Sequence, residues 1–565
     1  MLFLQLPALD NVTRGPWENL PLAAIYLEQA LARSDESAHY CGCFSPREFD
    51  LLDNAGIVAA VAAMRPAVLA CTLYLWNVER TLRVVRGVQK ILPDIRTVAG
   101  GPEVFDPHPF LWRAGVFDAA VVGEGEVLFP LVLKGLRTGR RANLKNVAWK
   151  VGRSYEWGRT PVAPVRLVDY RPWSSVAGLN PNGDGVAYLE TVRGCPRRCA
   201  FCRYHHLRER VDFLAPTAVA RRVAGLAERG AREIKITDPT FNAHPHFCRV
   251  LRQMAAVNRA AKLKFFAEVR AETITEEEAD LLAAANFVEV EVGMQSRDPR
   301  VLRVIRRPTD LKALESGVRR LSARGIKVTL DVMYGLPQQS LDDVWDSLAW
   351  AGRLKKVRIQ CLQTLLLPGT DLRAAAGRWK LRAAKRPPYG VWSTPSLSLE
   401  DARSIEERLA ATPALAPDAP ALRFVGRELP DLFREKVRLA AESLPRVWRE
   451  PVSGRQNRRA IILRGQDLFQ RRAQICALVR AAVRHEPDIL WQFVLAPERE
   501  EPLDLLDMLI AELRREPQHW LDRGGAPAIL GKLAARRVFI LLSRRRRYEL
   551  EWMTAAEELL RRCFY

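Results

Sequence analysis

The chain has 565 residues, 48% of them hydrophobic and 27% charged, enough apolar material to bury several cores and to exclude wholesale disorder. Lys+Arg exceed Asp+Glu by 87 to 65, a formal charge of +22 that raises the question of a nucleic-acid partner, although arginine is spread over nearly every helical stretch. No uninterrupted apolar run is long enough to span a bilayer, and ten cysteines without regular pairing argue against a secreted disulfide scaffold; the expectation is a cytoplasmic protein.

From the N-terminus, apolar runs at Leu2–Leu6, Ala67–Tyr74, Ile95–Gly100 and Phe117–Val122 read as buried parallel strands. Helical periodicity fills the gaps at Leu20–Ala32, Phe49–Met64, Val78–Ile91 and Val127–Leu136. Residues 1–140 are therefore expected to form a Rossmann-like, doubly wound parallel sheet. Two glycine turns follow strand ends, Gly100-Gly101-Pro102-Glu103 and Gly123-Glu124-Gly125-Glu126, at the carboxyl edge where such sheets bind ligands. Residues 141–185 read as a connector with a short hairpin, Val147–Val151 and Tyr155–Trp157, ending in a Pro/Asn/Gly-rich stretch at 179–185.

A second βα series occupies 186–375, with strands at Val186–Thr191, Glu233–Thr237, Lys264–Val269, Phe287–Val292, Lys327–Met333 and Arg358–Leu367. Six strands alternating with helices predict a partial (β/α)6 TIM-type barrel. Residues 376–420 read as a helical segment and a Pro/Ala linker at 411–420. The remainder, 421–565, reads as a small C-terminal α/β domain with strands at Ala460–Leu463, Leu490–Leu495 and Val538–Leu542. Arg544-Arg545-Arg546-Arg547 follows the last of these and reads as a solvated face.

Three cysteines are grouped just after the first barrel strand: Cys195, Cys199 and Cys202, spaced C-x3-C-x2-C. Three thiolates on one short loop wrap an iron–sulfur cluster and leave one iron free for another ligand. The alternative is zinc, which needs a fourth ligand such as His205 or His206. Cys248, Cys361, Cys476 and Cys563 are isolated, Cys41 and Cys43 form a C-x-C, and Cys71 lies in an apolar strand.

The cysteine loop, with the aromatic Phe201 before its last cysteine, resembles the radical SAM superfamily. The resemblance implies that Cys195, Cys199 and Cys202 ligate a [4Fe-4S] cluster whose open iron is chelated by S-adenosyl-L-methionine. It implies reductive cleavage to a 5′-deoxyadenosyl radical, with Phe201 near the adenine. By strand position it further implies SAM contacts from Asp238 or Thr240 after the second strand, Glu268 and Arg270 after the third, and Gln295 and Ser296 after the fourth.

A Rossmann-like block ahead of such a barrel is similar to the cobalamin-binding radical SAM subgroup. The matching stretches contain Tyr74, Trp76 and Asn77, Gly100, Gly101, Pro102 and Glu103, and Gly123, Glu124 and Gly125, which the resemblance assigns to the corrin site. The histidine motif D-x-H-x-x-G is absent from the loop Pro7–Gly15. Together these imply a cobalamin-dependent C-methyltransferase acting on an unactivated carbon of a small metabolite or peptide, with an external electron donor. Two alternatives stay open: an RNA modifier without cobalamin, favoured by the charge, and a cobalamin-dependent radical cyclase. A regulatory, non-catalytic use of the cofactor domain is disfavoured by the intact cysteine loop.

Overall fold

The computed structural model describes residues 1–8, 21–34, 42–43, 51–174, 185–206, 210–412, 423–428, 435–444, 456–515, 517–523 and 535–564. Residues Leu9 to Gly15 of the first loop, Cys41, most of the 179–185 stretch and most of the 411–420 linker lie outside them.

The first sheet contains β1 (Leu2–Leu4), β2 (Gly42–Cys43), β3 (Val68–Thr72), β4 (Arg96–Gly100), β5 (Ala119–Val121), β6 (Val147–Val151) and β7 (Ser154–Trp157). Its order is β2-β1-β3-β4-β5-β6-β7, with the first five strands parallel. The hairpin expected in the connector is instead the antiparallel edge of this sheet, because Val147–Val121 pairing extends it. Helices Leu22–Ala32 and Leu128–Thr138 pack on one face, and Asn54–Met64 and Val78–Ile91 on the other. Both faces being covered, the middles of the parallel strands are buried; Leu2, Leu69 and Ala99 are fully so. The order reverses between β1 and β3, and that switch point opens a crevice at the carboxyl edge.

The second sheet is formed by β8 (Val186–Leu189), β11 (Glu233–Ile236), β12 (Lys264–Glu268), β13 (Phe287–Gln295), β14 (Lys327–Tyr334) and β15 (Val357–Gln363). These run parallel, in sequential order from β8 to β15, as a six-stranded partial barrel. A small antiparallel ribbon, β9 (Val192–Arg193) and β10 (Asp212–Phe213), flanks the first loop. Alternation along β13 shows why the barrel closes this way. Val290, Val292 and Met294 are buried against the helices, and the opposite parity carries Glu289, Glu291 and Gly293. Helix Glu276–Ala284 starts at a Thr275 capping box and Leu341–Ala351 at one from Ser340, so these two elements begin where their side chains hydrogen-bond the first turn.

After a short hairpin, β16 (Arg382–Ala383) with β17 (Val391–Ser393), helix Leu399–Ala411 covers the barrel, and Tyr334 donates to Glu406 across 2.9 Å. The last sheet holds β18 (Val425–Gly426), β19 (Glu435–Ala440), β20 (Arg458–Gly465), β21 (Leu490–Pro497) and β22 (Arg536–Leu541), all parallel in the order β18-β22-β21-β20-β19. Sequence patterning predicts only the three central strands. The two extra ones are edges, one of two residues and one rich in charge, which suits an edge and hides it from an apolar search. Arg544 pairs with exposed Glu428 at 2.9 Å, in keeping with a solvated turn. Among the described residues no helix is long and apolar enough to cross a membrane.

The last domain docks on the first. Ala460, Leu490, Trp520 and Leu521 pack with Ala8, Leu75 and Trp76 at the switch-point edge. Around that contact, Arg83 meets Asp488 at 2.6 Å and Arg523 meets Glu79 at 2.7 Å. Asp53 pairs with Arg459 where both are essentially inaccessible, and it also caps helix Asn54–Met64 through Gly56 N at 2.6 Å. Asp53→Ala leaves the Arg459 guanidinium buried without that carboxylate, so it is expected to destabilise the fold by about 3–5 kcal/mol. Thermal unfolding followed by circular dichroism should show an earlier first transition, with a smaller effect for Arg83→Ala at the more accessible pair.

Candidate functional site

The barrel's first strand runs into the cysteine loop through a turn held by one carboxylate. Asp238, at the end of β11, accepts from Thr191 N at 2.7 Å, Val192 N at 2.9 Å and the Thr191 hydroxyl. It is buried, and burial raises its carboxyl to about 7 against the pull of those three donors. Asp238, expected with Thr240 as a candidate cofactor contact, directs its carboxylate to the loop.

Beyond Val192 the chain passes Gly194, whose φ of +91° a side chain would strain, and reaches Cys195. Cys195 Sγ lies 3.9 Å from the Thr240 hydroxyl, which itself donates to Pro239 O at 2.6 Å. Cys199 is buried, with its Sγ 3.7 Å from Arg307 Nη1, while the same arginine donates to Gly293 O at 2.6 Å. Ala200 is stitched on both sides, its N–H to Ile305 O at 2.9 Å and its carbonyl to Leu372 N at 2.7 Å. Phe201 fills the space between two small apolar clusters at the barrel mouth.

Among the described residues one His/Cys/Asp/Glu group brings its ligand atoms within 4.8 Å of one another, His205, His206 and Asp371, and it contains none of the three cysteines. The histidines considered as a fourth zinc ligand face Asp371 instead, at 3.6 Å and 3.1 Å. Burial, and then the neighbouring Cys199 and Cys195, push the Cys202 thiol up to about 11; a cationic cluster is the kind of partner that reverses such a shift.

Around this loop the strand ends differ in what they offer. Glu268, ending β12, is open to solvent at the mouth yet enclosed by protein on several sides. That enclosure, then the charge of Glu291, raises its carboxyl to about 8. Register places Glu268 directly opposite Glu291, and Asp331 opposite Gly293, so carboxyls from three adjacent strands line the interior. Burial raises Glu291 against the hydrogen bond with Asp331 and the charge of Arg358, while burial and then contact with Glu291 raise Asp331 against the charge of Arg307. Gln295 takes φ +70° and keeps its Oε1 buried without a hydrogen-bond partner, beside Arg307 and Gly293. It is thus free to receive a donor from a cofactor. Arg270 is committed to Glu272 at 2.7 Å and to Pro308 O at 3.0 Å, and Ser296 accepts from Asp298 N at 3.1 Å at the start of helix Pro299–Val304.

The facing surface is the carboxyl edge of the first sheet. Asn77 organises its loop, accepting from Tyr74 N at 2.8 Å and donating to Leu6 O at 2.9 Å, which ties the loops after β1 and β3. Tyr74 and Trp76 stack at 4.3 Å, and the Trp76 Nε1 is buried without a hydrogen-bond partner. A Cβ on Gly100 or Gly123 would meet nothing within 4 Å, so both turns present bare backbone to open space. Gly101, at φ +99°, is required by the turn itself, because a Cβ there would lie 2.7 Å from Leu73 O. Pro102 and Glu103 complete that turn: Glu103 is buried and accepts from Tyr389 at 2.7 Å, with His108 at 3.4 Å. Glu124 lies 3.6 Å from Arg193, and Gly125 packs on Leu27.

Sequence reasoning missed four groups here: Arg193, Arg307, the pair Glu291–Asp331, and Tyr204. Tyr204 is half exposed in the space between the domains and senses both Glu268 of the barrel and Tyr74 of the first sheet. Its position two residues after Cys202 was the available signal.

Glu268 provides a pH test. A carboxyl held at a higher value in the fold than in the unfolded chain binds its proton more tightly when folded. Stability is then greatest below about 4.5 and falls as pH rises towards about 8. The thermal midpoint of the wild type should fall across that window, and Glu268→Gln should flatten the profile. An equally steep profile in the variant assigns the slope to other carboxyls.

Comparison with known proteins gives matches in both halves of the site. Residues 189–351 match the model of the radical SAM superfamily, and residues 11–133 match that of the B12 binding domain. A 2-(S-pantetheinyl)-carbapenam-3-carboxylate methyltransferase from Streptantibioticus cattleyicolor is 28% identical over 324 residues, 52% of this chain and 46% of that protein. The cobalamin-dependent radical SAM methyltransferase TokK of Streptomyces tokunonensis is 27% identical over 359 residues, 57% of this chain and 51% of that protein. The chain thus spans about half the length of these curated relatives. Among solved structures, the radical S-adenosylmethionine methyltransferase TsrM from Kitasatospora setae superposes with a TM-score of 0.57 at 20% identity, covering 68% of this chain and 77% of that one. The cobalamin-dependent radical enzyme OxsB superposes at 0.58 and 15% identity, covering 73% and 66%. Both likenesses are of fold.

Proposed function

Starting from a chain that belongs to the radical SAM superfamily and carries a B12-binding domain, we propose a cobalamin-dependent radical SAM methyltransferase. Its substrate on this reading is an unactivated carbon of a small metabolite or peptide, and its electron comes from an external donor. The observation that carries the reading is the opposition of two prepared surfaces: a three-thiol loop at a barrel mouth, and bare glycine turns at a sheet edge. Methyl transfer is preferred to cyclisation because the named relatives include methyltransferases.

Cys195, Cys199 and Cys202 would hold the [4Fe-4S] cluster, and the Tyr74–Asn77, Gly100–Glu103 and Gly123–Gly125 segments would receive cobalamin. Bound there, these groups supply an electron that cleaves SAM to a carbon radical, and a carrier for the methyl group. The chain's own part is placement. Asp238 fixes the entry to the cysteine loop, and Arg307 sets its guanidinium 3.7 Å from Cys199 Sγ. Gln295 offers a buried acceptor to a hydroxyl or amine at the mouth. Glu268, neutral near pH 7 by its raised value, can donate a hydrogen bond there without repelling a carboxylate. The docked C-terminal domain covers the switch-point edge with Trp520 and so keeps water from Trp76 and its loop.

Anaerobic reconstitution should yield about four irons per chain, and reduction in the presence of SAM should yield 5′-deoxyadenosine. Cys195→Ala, Cys199→Ala and Cys202→Ala should each lose most of the iron and all of the cleavage. Addition of hydroxocobalamin should give a stoichiometric corrin spectrum that survives desalting, and the product should be heavier than the substrate by one CH2. A chain that cleaves SAM but retains no corrin would defeat the cobalamin assignment, and an unshifted product mass would defeat methylation.

A further inference from the structure

We propose that Arg193 and Arg203 are positioning residues that set the register between the iron–sulfur site and the corrin site, an inference resting on the cobalamin reading above. Arg193 stands two residues before Cys195 and Arg203 directly follows Cys202, so the pair brackets the eight-residue cysteine loop. Each crosses the domain boundary to a different glycine turn. Arg193 Nη1 lies 2.6 Å from Glu126 Oε1 and 3.6 Å from Glu124 Oε1, in the turn after β5. Arg203 Nη1 donates to the Pro102 carbonyl in the turn after β4, and its guanidinium lies 5.6 Å from the Phe105 ring centroid.

The anchoring on the barrel side is equally defined. Arg193 spends Nε and Nη2 on the two oxygens of Glu190, at 2.9 Å and 2.7 Å; across the boundary its Cζ also stands 5.5 Å over the ring of Tyr26 in helix Leu22–Ala32. A guanidinium fork satisfies a carboxylate on one edge and reaches a second with the remaining nitrogen; an ammonium has no such fixed plane. At the other end the turn gripped by Arg203 is tied again, by the Tyr389 hydroxyl on buried Glu103 at 2.7 Å, from the segment that follows the barrel.

Adhesion between the domains does not depend on these two side chains. Tyr389 meets Glu103 at 2.7 Å and Arg386 meets Glu79 at 2.9 Å, holding the first domain to the segment that follows the barrel, and the C-terminal domain locks onto the first through Arg83–Asp488 and the apolar contact around Trp520. Nor does the fold of the cysteine loop, which hangs on Asp238 and on the backbone bonds of Ala200 to Ile305 and Leu372. What the two arginines add is a fixed distance and tilt. Two tethers at opposite ends of one loop, ending on two separate turns of one sheet, remove both the sliding and the rocking freedom between the sites.

Full-length protein carrying the reconstituted cluster and Co(II) cobalamin tests this. Variants Arg193→Gln, Arg203→Gln and the charge-keeping Arg193→Lys and Arg203→Lys are compared by iron and corrin content, by electron paramagnetic resonance, and by two SAM reactions that need no substrate. Iron content and 5′-deoxyadenosine formation should match the wild type, because the cysteine loop is held by Asp238 and the backbone bonds of Ala200, and the variants are compared at matched corrin loading. Dipolar broadening of the Co(II) signal by the reduced cluster should change, and transfer of the SAM methyl group to reduced cobalamin should slow roughly 100-fold, the penalty of about 1 Å of misplacement. The lysine variants should recover part of this through charge alone.

Wild-type broadening and wild-type methyl transfer in fully loaded glutamine variants would overturn the proposal and leave the cobalamin reading intact. Joint loss of iron and corrin in the lysine variants would also overturn it, by showing that the arginines hold up the fold. A wild-type protein that retains no corrin would sink both readings before any variant is made.

Discussion

One buried carboxylate carries the geometry of the whole site. Asp238 leaves β11 with no access to water and gathers Thr191 N, Val192 N and the Thr191 hydroxyl, three donors that would otherwise be orphaned at the turn between β8 and the cysteine loop. An unmet buried donor costs about 1–3 kcal/mol, so the turn is strongly favoured in this one conformation. From it follow the heading of Gly194, the approach of Cys195 to Thr240 and the stitching of Ala200 between Ile305 and Leu372.

The interior of the molecule explains where part of the positive charge goes. Arg193, Arg270 and Arg307 are held among Glu190, Glu126, Glu272 and the carboxyls of β12–β14. Arg459, Arg523 and Arg536 are buried in the C-terminal docking region. The net charge was a candidate sign of nucleic-acid binding; these arginines instead tie elements and domains together and are unavailable to an external polyanion. The run Arg544–Arg547 sits on an exposed turn, where Arg544 already meets Glu428.

Legibility followed the kind of information each feature needs. The apolar run of β3 and the strict strand–helix alternation of the barrel were readable, whereas β18 and β19 at the C-terminal edges were not. The cysteine loop was readable because its ligands are local. Asn77, Glu103, Glu124 and Asp238 were found in the right place, and the structure adds partners within the protein that spacing does not show. They sit at the strand ends that face the site, but their polar atoms are taken by Leu6, Tyr389, Arg193 and Thr191. A polar residue at a strand end looks the same in sequence whether it meets a ligand or a loop.

By itself the sequence determined the doubly wound sheet, the six-stranded barrel and the three-thiol loop. All are set by local periodicity and spacing, which fix which faces must be buried and which thiols share a loop. Only the tertiary structure decided that the hairpin at Val147–Trp157 completes the first sheet and that the C-terminal domain closes the switch-point edge. It alone decided that His205 and His206 turn to Asp371, and that arginines at both ends of the cysteine loop grip the facing turns. Those outcomes depend on side chains far apart in the chain competing for the same partners, a competition settled by burial and distance, which local spacing does not record.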